Sequence, residues 1–357
     1  MSHQEKLIKL IGTPFIESLK QDISDQELLD LYDFAFENRV ALLYLTLYRK
    51  NDWSHSLEEK YRKLKDREEK TLDVIARLAL KLNEFNKDNY IIFKSIKPYP
   101  ATPNDTDVIW LGNREAYKKA NQYLLANGYV FHEWAPLQKT YFDEKGKNSI
   151  GKGKKGGIYY IDFYEEISTD YFAYLNKNIL KNYIIRKKIN NVEINLLKPE
   201  IELAIIMFHN VFPERTFQLE HFFLPLYYFS KNNFDLNLFI TFIKTQHFEY
   251  AIKSNLTIIG ELHQKHFGFL PYHLVELIKE FGINKYEKNK LVFNDYKLPH
   301  MFSPKTFWIT FLYKLKDPYS RKSLSVQLLK MLNPIFMIDV LKSIKNRLSE
   351  EGVYHLE

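Results

Sequence analysis

Three aspartates stand in short apolar segments of the kind that form buried β-strands. Asp105 and Asp107 belong to the segment from 105 to 111, and Asp162 belongs to the segment from 158 to 164. Because side chains alternate across a strand, Asp105 and Asp107 must point to the same face. Carboxylates buried on one face repel each other unless a cation neutralises them, and Mg²⁺ or Mn²⁺ prefers such oxygen ligands. The sequence therefore predicts a metal site made by these three aspartates, with a polyphosphate bound beside it.

Three carboxylates that converge from neighbouring strands suit phosphoryl or nucleotidyl transfer. Two cations about 3.5–4 Å apart can stabilise the attacking and the leaving oxygens of an in-line displacement. One of the carboxylates can also accept the proton of the attacking hydroxyl. We therefore expect Asp105, Asp107 and Asp162 to be both metal ligands and catalytic residues.

A small residue at a strand end offers a place for phosphate. Lys94 and Ser95 follow the predicted strand 90–93, immediately before a turn. At such a turn the backbone N–H groups approach phosphate closely, and a hydroxyl or an ammonium adds a further donor. Lys94 and Ser95 are accordingly predicted to contact phosphate.

A cationic segment at residues 145–157 carries much of the excess charge of the chain. It holds five lysines, no acidic residue and five of the twelve glycines, in a protein of formal net charge +7. A flexible cationic loop suits phosphate groups or nucleic acid. The alternative is a solvated hairpin tip without a ligand. On the first interpretation Lys152, Lys154 and Lys155 contact the acceptor or its phosphates.

The composition is that of a globular protein. Its 357 residues are 45% hydrophobic and 27% charged, which allows two or three domains. The sequence has no apolar run of about eighteen residues and no apolar secretory segment near its first residue, so we expect a cytoplasmic protein without a membrane span. The absence of cysteine excludes disulfides and thiolate metal sites.

Hydrophobic periodicity divides the chain into three predicted regions. Residues 1–88 form an N-terminal helical region, in which Ser24 is the expected cap of one helix. Residues 89–165 form a compact core of short strands with one helix at 113–127. From about Ser168 the pattern predicts helices again, so that residues 166–357 form a helical C-terminal domain. The expected fold class is α+β, with a small mixed sheet flanked by helices on both sides in sequence.

In this order and spacing the motifs resemble the DNA polymerase beta-type nucleotidyltransferase superfamily. The closer likeness is to its uncharacterised bacterial and archaeal branch, often labelled nucleotidyltransferase family 5, and it covers most of the first 230 residues. The segments that carry it are Glu27–Leu47, Ile91–Ser95, Asp105–Val108, Leu124–Tyr129, Tyr160–Phe163 and Leu203–His209.

The resemblance implies an activity and a set of site residues. It implies metal-dependent transfer of a nucleoside monophosphate from a nucleoside triphosphate to a hydroxyl acceptor, with release of pyrophosphate. Asp105 and Asp107 would hold Mg²⁺ or Mn²⁺, Asp162 would complete the site, and Lys94 with Ser95 would face the triphosphate. The sequence departs from the family pattern by having no glycine at Lys94-Ser95.

Other functions are compatible with the same residues. A catalytically degenerate member would bind a nucleotide or a nucleic acid without turnover, and the missing glycine favours it. A glycosyltransferase could use Asp-x-Asp to hold a metal-bound nucleotide sugar, although it would have alternating strands and helices before the triplet. The acceptor of a nucleotidyltransferase could be RNA, a protein side chain or a small metabolite, and the cationic segment favours a polyanion such as RNA.

Overall fold

The computed structural model describes most of the chain. The described residues are 2–16, 23–50, 52–103, 105–135, 137–145, 158–169, 172–283, 298–330, 332–334 and 337–338. The predicted phosphate contacts Lys152, Lys154 and Lys155 lie outside these residues and stay a prediction.

In the described residues, four helices precede the sheet. Ser24 caps the second of them by accepting the Glu27 N–H at 3.3 Å, as its sequence predicts. The last is a single helix of 32 residues whose first half is mostly charged and whose second half is apolar on one side. The helices are α1 (His3–Ile11), α2 (Asp25–Glu37), α3 (Ala41–Leu47) and α4 (His55–Asn86).

A five-stranded mixed sheet follows, which confirms the α+β class. The elements are β1 (Tyr90–Phe93), β2 (Thr106–Trp110), α5 (Arg114–Ala126), β3 (Tyr129–Ala135), β4 (Gln138–Asp143) and β5 (Tyr160–Tyr164). The strand order is β1-β2-β5-β4-β3, in which β2 and β5 are parallel and the other neighbours are antiparallel. β4 and β5, which flank the cationic segment 145–157 in sequence, pair with each other.

The two faces of the sheet bury different sides of each strand. One face packs against the second half of α4 and against α5, through side chains such as Val108, Trp110 and Phe163. The other face carries Phe93, Ile109 and Tyr164, which join a larger core shared with the helices at both ends of the chain. Since Asp107 and Asp162 alternate with the first set, they lie on this second face.

The predicted return to helices from Ser168 is wrong. Two further hairpins and a 3-10 helix, Lys177–Tyr183, come first, and helices resume only at Pro199. The second hairpin turns at Asn190 and Asn191, which both have positive φ (46° and 63°), as a two-residue hairpin turn requires. The strands are β6 (Ile167–Thr169), β7 (Phe172–Leu175), β8 (Ile184–Ile189) and β9 (Val192–Leu197).

The C-terminal half is helical, as predicted, and prolines mark several helix starts. Its elements are α6 (Pro199–His209), β10 (Thr216–Phe217), α7 (Leu219–Phe229), α8 (Leu236–Thr245), α9 (Glu249–Phe267), α10 (Tyr272–Glu280), β11 (His300–Met301), α11 (Pro304–Lys314) and α12 (Pro318–Lys330). One hydrophobic core joins residues from all three predicted regions. None of the helices in the described part of the chain is long and apolar enough to span a membrane.

The buried ring of Phe163 allows a test of how the sheet is held. Phe163 is fully buried and stacks on Tyr117 of α5 at 5.2 Å. Phe163→Ala should lower the free energy of unfolding by about 3–5 kcal/mol because it leaves a cavity between sheet and helix. Denaturant unfolding would measure it, with Phe131→Ala on β3, where the side chain is 45% exposed, as the control. Equal losses in the two variants would contradict this packing.

Candidate active site

The parallel pairing of β2 with β5 brings the predicted aspartates together. In the observed register Asp107 is the direct partner of Asp162. Asp105 precedes β2 by one residue, and its carboxyl lies close enough to the other two to feel their charges. The sequence-predicted triad therefore converges at one end of the strand pair, on the face turned toward the larger core.

The carboxyls of Asp105 and Asp162 ionise less easily in this place than in water. Burial, followed by the charges of Asp107 and Asp162, raises the pKa of Asp105 from 3.8 to about 8. Burial and Asp107 also raise the pKa of Asp162, although the Thr140 hydroxyl, which donates to Asp162 Oδ1 at 2.6 Å, opposes the shift. The site thus holds carboxyl groups whose charged form a nearby cation would stabilise.

Lys94 supplies a positive charge inside the cluster. Its ammonium lies 3.3 Å from Asp107 Oδ2, with its side chain only 15% exposed. It also lies over the rings of Phe93 and Tyr164, 4.9 and 5.8 Å from their centroids. Burial lowers the pKa of Lys94, but the carboxylates of Asp107, Glu214 and Asp105 outweigh burial and hold it above its usual value. Lys94 is therefore a charged partner of Asp107.

The backbone of Lys94 occupies a conformation that favours glycine. Its φ is +59°, in the left-handed region, immediately before Ser95, where the resemblance would place a glycine. The Lys94 N–H donates to Glu202 Oε1 at 2.8 Å, and Tyr228 donates to the other Glu202 oxygen at 3.0 Å. Two helices of the C-terminal half, α6 and α7, thus fix this turn even though its residue carries a β-carbon.

Ser95 is buried and its hydroxyl is used within the protein. The residue is 3% exposed. The hydroxyl donates to the Phe93 carbonyl at 3.0 Å and accepts the Asp107 N–H at 3.0 Å. Ser95 therefore ties the end of β1 to the start of β2 and positions Asp107. Its predicted contact with a triphosphate stays a prediction.

A hydrogen-bonded chain beside Lys94 was not assigned from the sequence. His209 lies 2.9 Å from the Tyr174 hydroxyl through Nδ1 and 3.4 Å from Glu214 Oε1 through Nε2. Burial and the Lys94 ammonium lower the pKa of His209, while the Glu214 carboxylate opposes the shift. The apolar helix ending in His209 was recognised, but its partner Tyr174 lies in a strand that the sequence did not reveal.

Cations from the N-terminal half also reach the site. Arg39, at the turn between α2 and α3, has its Nη1 atom 3.8 Å from Glu220 Oε2, while the Lys97 ammonium lies 2.6 Å from Glu220 Oε1. The Arg39 guanidinium opposes the rise in the pKa of Asp105 and lowers that of Glu214. Glu202 and Glu220 had a signal in the sequence, because each stands in an otherwise apolar helix.

The donor set fits a hard divalent cation. Asp107 and Asp162 face each other across parallel strands, Asp105 adds a third oxygen donor, and their mutual repulsion is what such a cation relieves. In the described part of the chain, no group of three or more His, Asp or Glu side chains is already arranged to hold a metal ion. Asp107 is instead paired with Lys94.

Comparison with known proteins gave no match for this chain among protein-family models, curated proteins or solved structures.

The role of the Ser95 hydroxyl can be separated from ligand binding. Ser95→Ala leaves the buried Asp107 N–H without its acceptor, so the free energy of unfolding should fall by roughly 1–3 kcal/mol without any ligand. Ser325→Ala removes an exposed hydroxyl that donates to the Arg321 carbonyl, and should change stability by no more than about 0.5 kcal/mol. Denaturant unfolding measures both. An unchanged stability in Ser95→Ala would refute the positioning role.

The high pKa of Asp105 predicts a pH dependence of stability. Its carboxyl has a pKa of 3.8 when unperturbed and about 8 in the fold, so between these values the folded protein binds more protons than the unfolded chain. This contribution to stability is complete below about pH 4 and is lost as the pH rises to about 8. Asp105→Asn cannot ionise, so in chelator its melting temperature at about pH 8 should exceed that of the wild type. Calorimetry at several pH values checks this, and an equally steep decline in the variant would contradict it.

Proposed function

We propose that this protein is a metal-dependent nucleotidyltransferase that moves a nucleoside monophosphate from a nucleoside triphosphate to a hydroxyl acceptor and releases pyrophosphate. The observation that carries the proposal is the register of β2 and β5, which sets Asp107 beside Asp162 with Asp105 at the same end. A cluster of carboxylates on adjacent strands is what in-line transfer between phosphate oxygens needs. The resemblance to the polymerase beta-type superfamily supports the same reaction.

The chain's own residues divide the work as follows. Asp105, Asp107 and Asp162 would hold Mg²⁺ or Mn²⁺, which supplies neutralisation of the charge on the triphosphate and on the departing pyrophosphate. Asp162, whose Oδ1 accepts from Thr140, would accept the proton of the acceptor hydroxyl through its other oxygen. Lys94 offers an ammonium that can turn to a phosphate oxygen of the triphosphate.

The surrounding protein shapes the reaction by positioning. The Ser95 hydroxyl fixes the Asp107 backbone, and Glu202 fixes the Lys94 turn. The first contact joins the ends of neighbouring strands, and the second ties the turn to α6. Together they would hold Asp107 and Lys94 in place before any ligand arrives, which reduces the reorganisation that the reaction would otherwise require. The acceptor is RNA, a protein side chain or a small metabolite. The lysine-rich segment 145–157 favours a polyanion such as RNA.

A second function has one observation in its favour. A degenerate relative would bind a nucleotide or nucleic acid without turnover, and the Lys94 ammonium paired with Asp107 is consistent with a site that has replaced metal by lysine. A glycosyltransferase is less well supported, since the 32-residue helix α4 stands where that class has alternating strands and helices.

The transferase proposal predicts the effect of removing single site charges. Asp107→Asn or Asp162→Asn should lower turnover by at least roughly 100-fold, because even residues that only support metal ligands contribute 10–100-fold. The assay supplies each labelled triphosphate with Mg²⁺ and total cellular RNA or lysate, and follows label transfer together with pyrophosphate release. Asp88→Asn is the matched control, because Asp88 is 77% exposed and pairs with Arg186 away from the triad.

The outcomes separate the candidate functions. Transfer with pyrophosphate release that is lost in the triad variants supports the transferase. Triphosphate binding without turnover under every condition would favour the degenerate protein instead. Release of a nucleoside diphosphate from a nucleotide sugar would indicate glycosyl transfer.

A further inference from the structure

Lys94 combines three features that a phosphate-binding lysine alone does not need. It has a glycine-type backbone conformation, with φ +59°. Its side chain is 85% buried, being only 15% exposed, and it ends 3.3 Å from Asp107 Oδ2. A lysine that waits for a ligand at the edge of a cleft would keep its ammonium in water.

The contacts hold the Lys94 ammonium inside the carboxylate cluster. The rings of Phe93 and Tyr164 lie 4.9 and 5.8 Å from it, which stabilises a desolvated cation. The carboxylates of Asp107, Glu214 and Asp105 all favour its charged form.

We propose that the Lys94 ammonium is the resident cation of the ligand-free site and occupies the place of a metal ion on Asp107. This inference rests on the proposed function, since it concerns the same carboxylates. A divalent cation and the Lys94 ammonium compete for Asp107, so metal alone binds weakly. A triphosphate gives the ammonium new oxygen partners and brings further ligands for the metal. Metal and triphosphate therefore bind cooperatively, each raising the affinity for the other by the same factor.

The pairing of the Lys94 ammonium with Asp107 stabilises the ligand-free site. Buried carboxylates without a cation repel one another and destabilise the fold. The Lys94 ammonium neutralises part of that charge without any bound ligand. It leaves Asp107 when a divalent cation and a triphosphate bind together. The site is thus protected from taking up metal without substrate.

The test is direct binding of Mn²⁺, followed by electron paramagnetic resonance of the free ion, in the full chain without triphosphate. Lys94→Met keeps most of the side-chain length and removes the charge, and Lys94→Gly suits the left-handed backbone, so at least one variant should fold as the wild type does. We expect either variant to bind Mn²⁺ at least roughly tenfold more tightly than the wild type, because a cation close to the ligand oxygens is removed. Adding Asp107→Asn to Lys94→Met should abolish the gain.

A matched control removes a lysine from an ion pair elsewhere. Lys244→Met breaks a pair with Glu280 on the helical half and should leave Mn²⁺ affinity unchanged. If the wild type and both Lys94 variants bind Mn²⁺ equally tightly, Lys94 is not a resident cation, while the metal site itself stands. If none of the three binds Mn²⁺, the inference also fails. Absence of turnover with metal and triphosphate together is a separate result, and it is the one that removes the proposed function.

The expected cooperativity gives a second measurement. Inorganic tripolyphosphate should raise the melting temperature of the wild type more with Mn²⁺ than the sum of the two separate effects. In Lys94→Met this excess should shrink, because Mn²⁺ can bind Asp107 without first displacing an ammonium. Additive effects in the wild type would overturn the proposal.

Discussion

Repulsion between neighbouring carboxylates is the constraint around which the site is organised. The parallel pairing of β2 and β5 sets Asp107 directly against Asp162, on a face that packs toward the protein core. A strand cannot turn one side chain away without moving its whole alternating set to the other face. The carboxylates therefore have to be stabilised in place by nearby groups. These are Lys94 at the end of β1, Arg39 from the N-terminal helices and the Thr140 hydroxyl of β4.

Hydrogen bonds to the turn at Lys94 make its pairing with Asp107 possible. The Lys94 ammonium reaches Asp107 because the residue adopts a left-handed conformation, which costs a residue with a β-carbon about 1–2 kcal/mol. The hydrogen bond from the Lys94 N–H to Glu202 and the two bonds of the Ser95 hydroxyl offset this strain. The absence of glycine at Lys94-Ser95 therefore does not prevent the turn from forming. The turn is kept by the C-terminal helices, and the side chain that glycine lacks provides the charge.

The sequence allowed the triad to be predicted but not its surroundings. Asp105, Asp107 and Asp162 stand out because carboxylates are rare in short apolar strands, and alternation fixes their face. The strands β8 and β9 were missed since Arg186, Lys187 and Lys188 break the apolar pattern, and only tertiary packing makes the segment extended. Tyr174, Glu202 and Arg39 come to the surroundings of the triad from distant positions in the chain, and no local pattern shows which residues they meet there. The pairing of Lys94 with Asp107 likewise depends on a side-chain direction that a sequence does not show.

The helix α1 owes part of its burial to α9, far along the chain. Glu5 pairs with Lys265 at 2.9 Å, and the Thr13 hydroxyl lies 3.2 Å from His263, a separation of 250 residues. During translation at roughly 5–20 residues per second, the apolar side of α1 leaves the ribosome on the order of ten to fifty seconds before its partner is synthesised. During that time the apolar side of α1 is not yet covered by α9. Factors that shield emerging polypeptides have a defined segment to act on, and slow codons before α9 would lengthen its exposure.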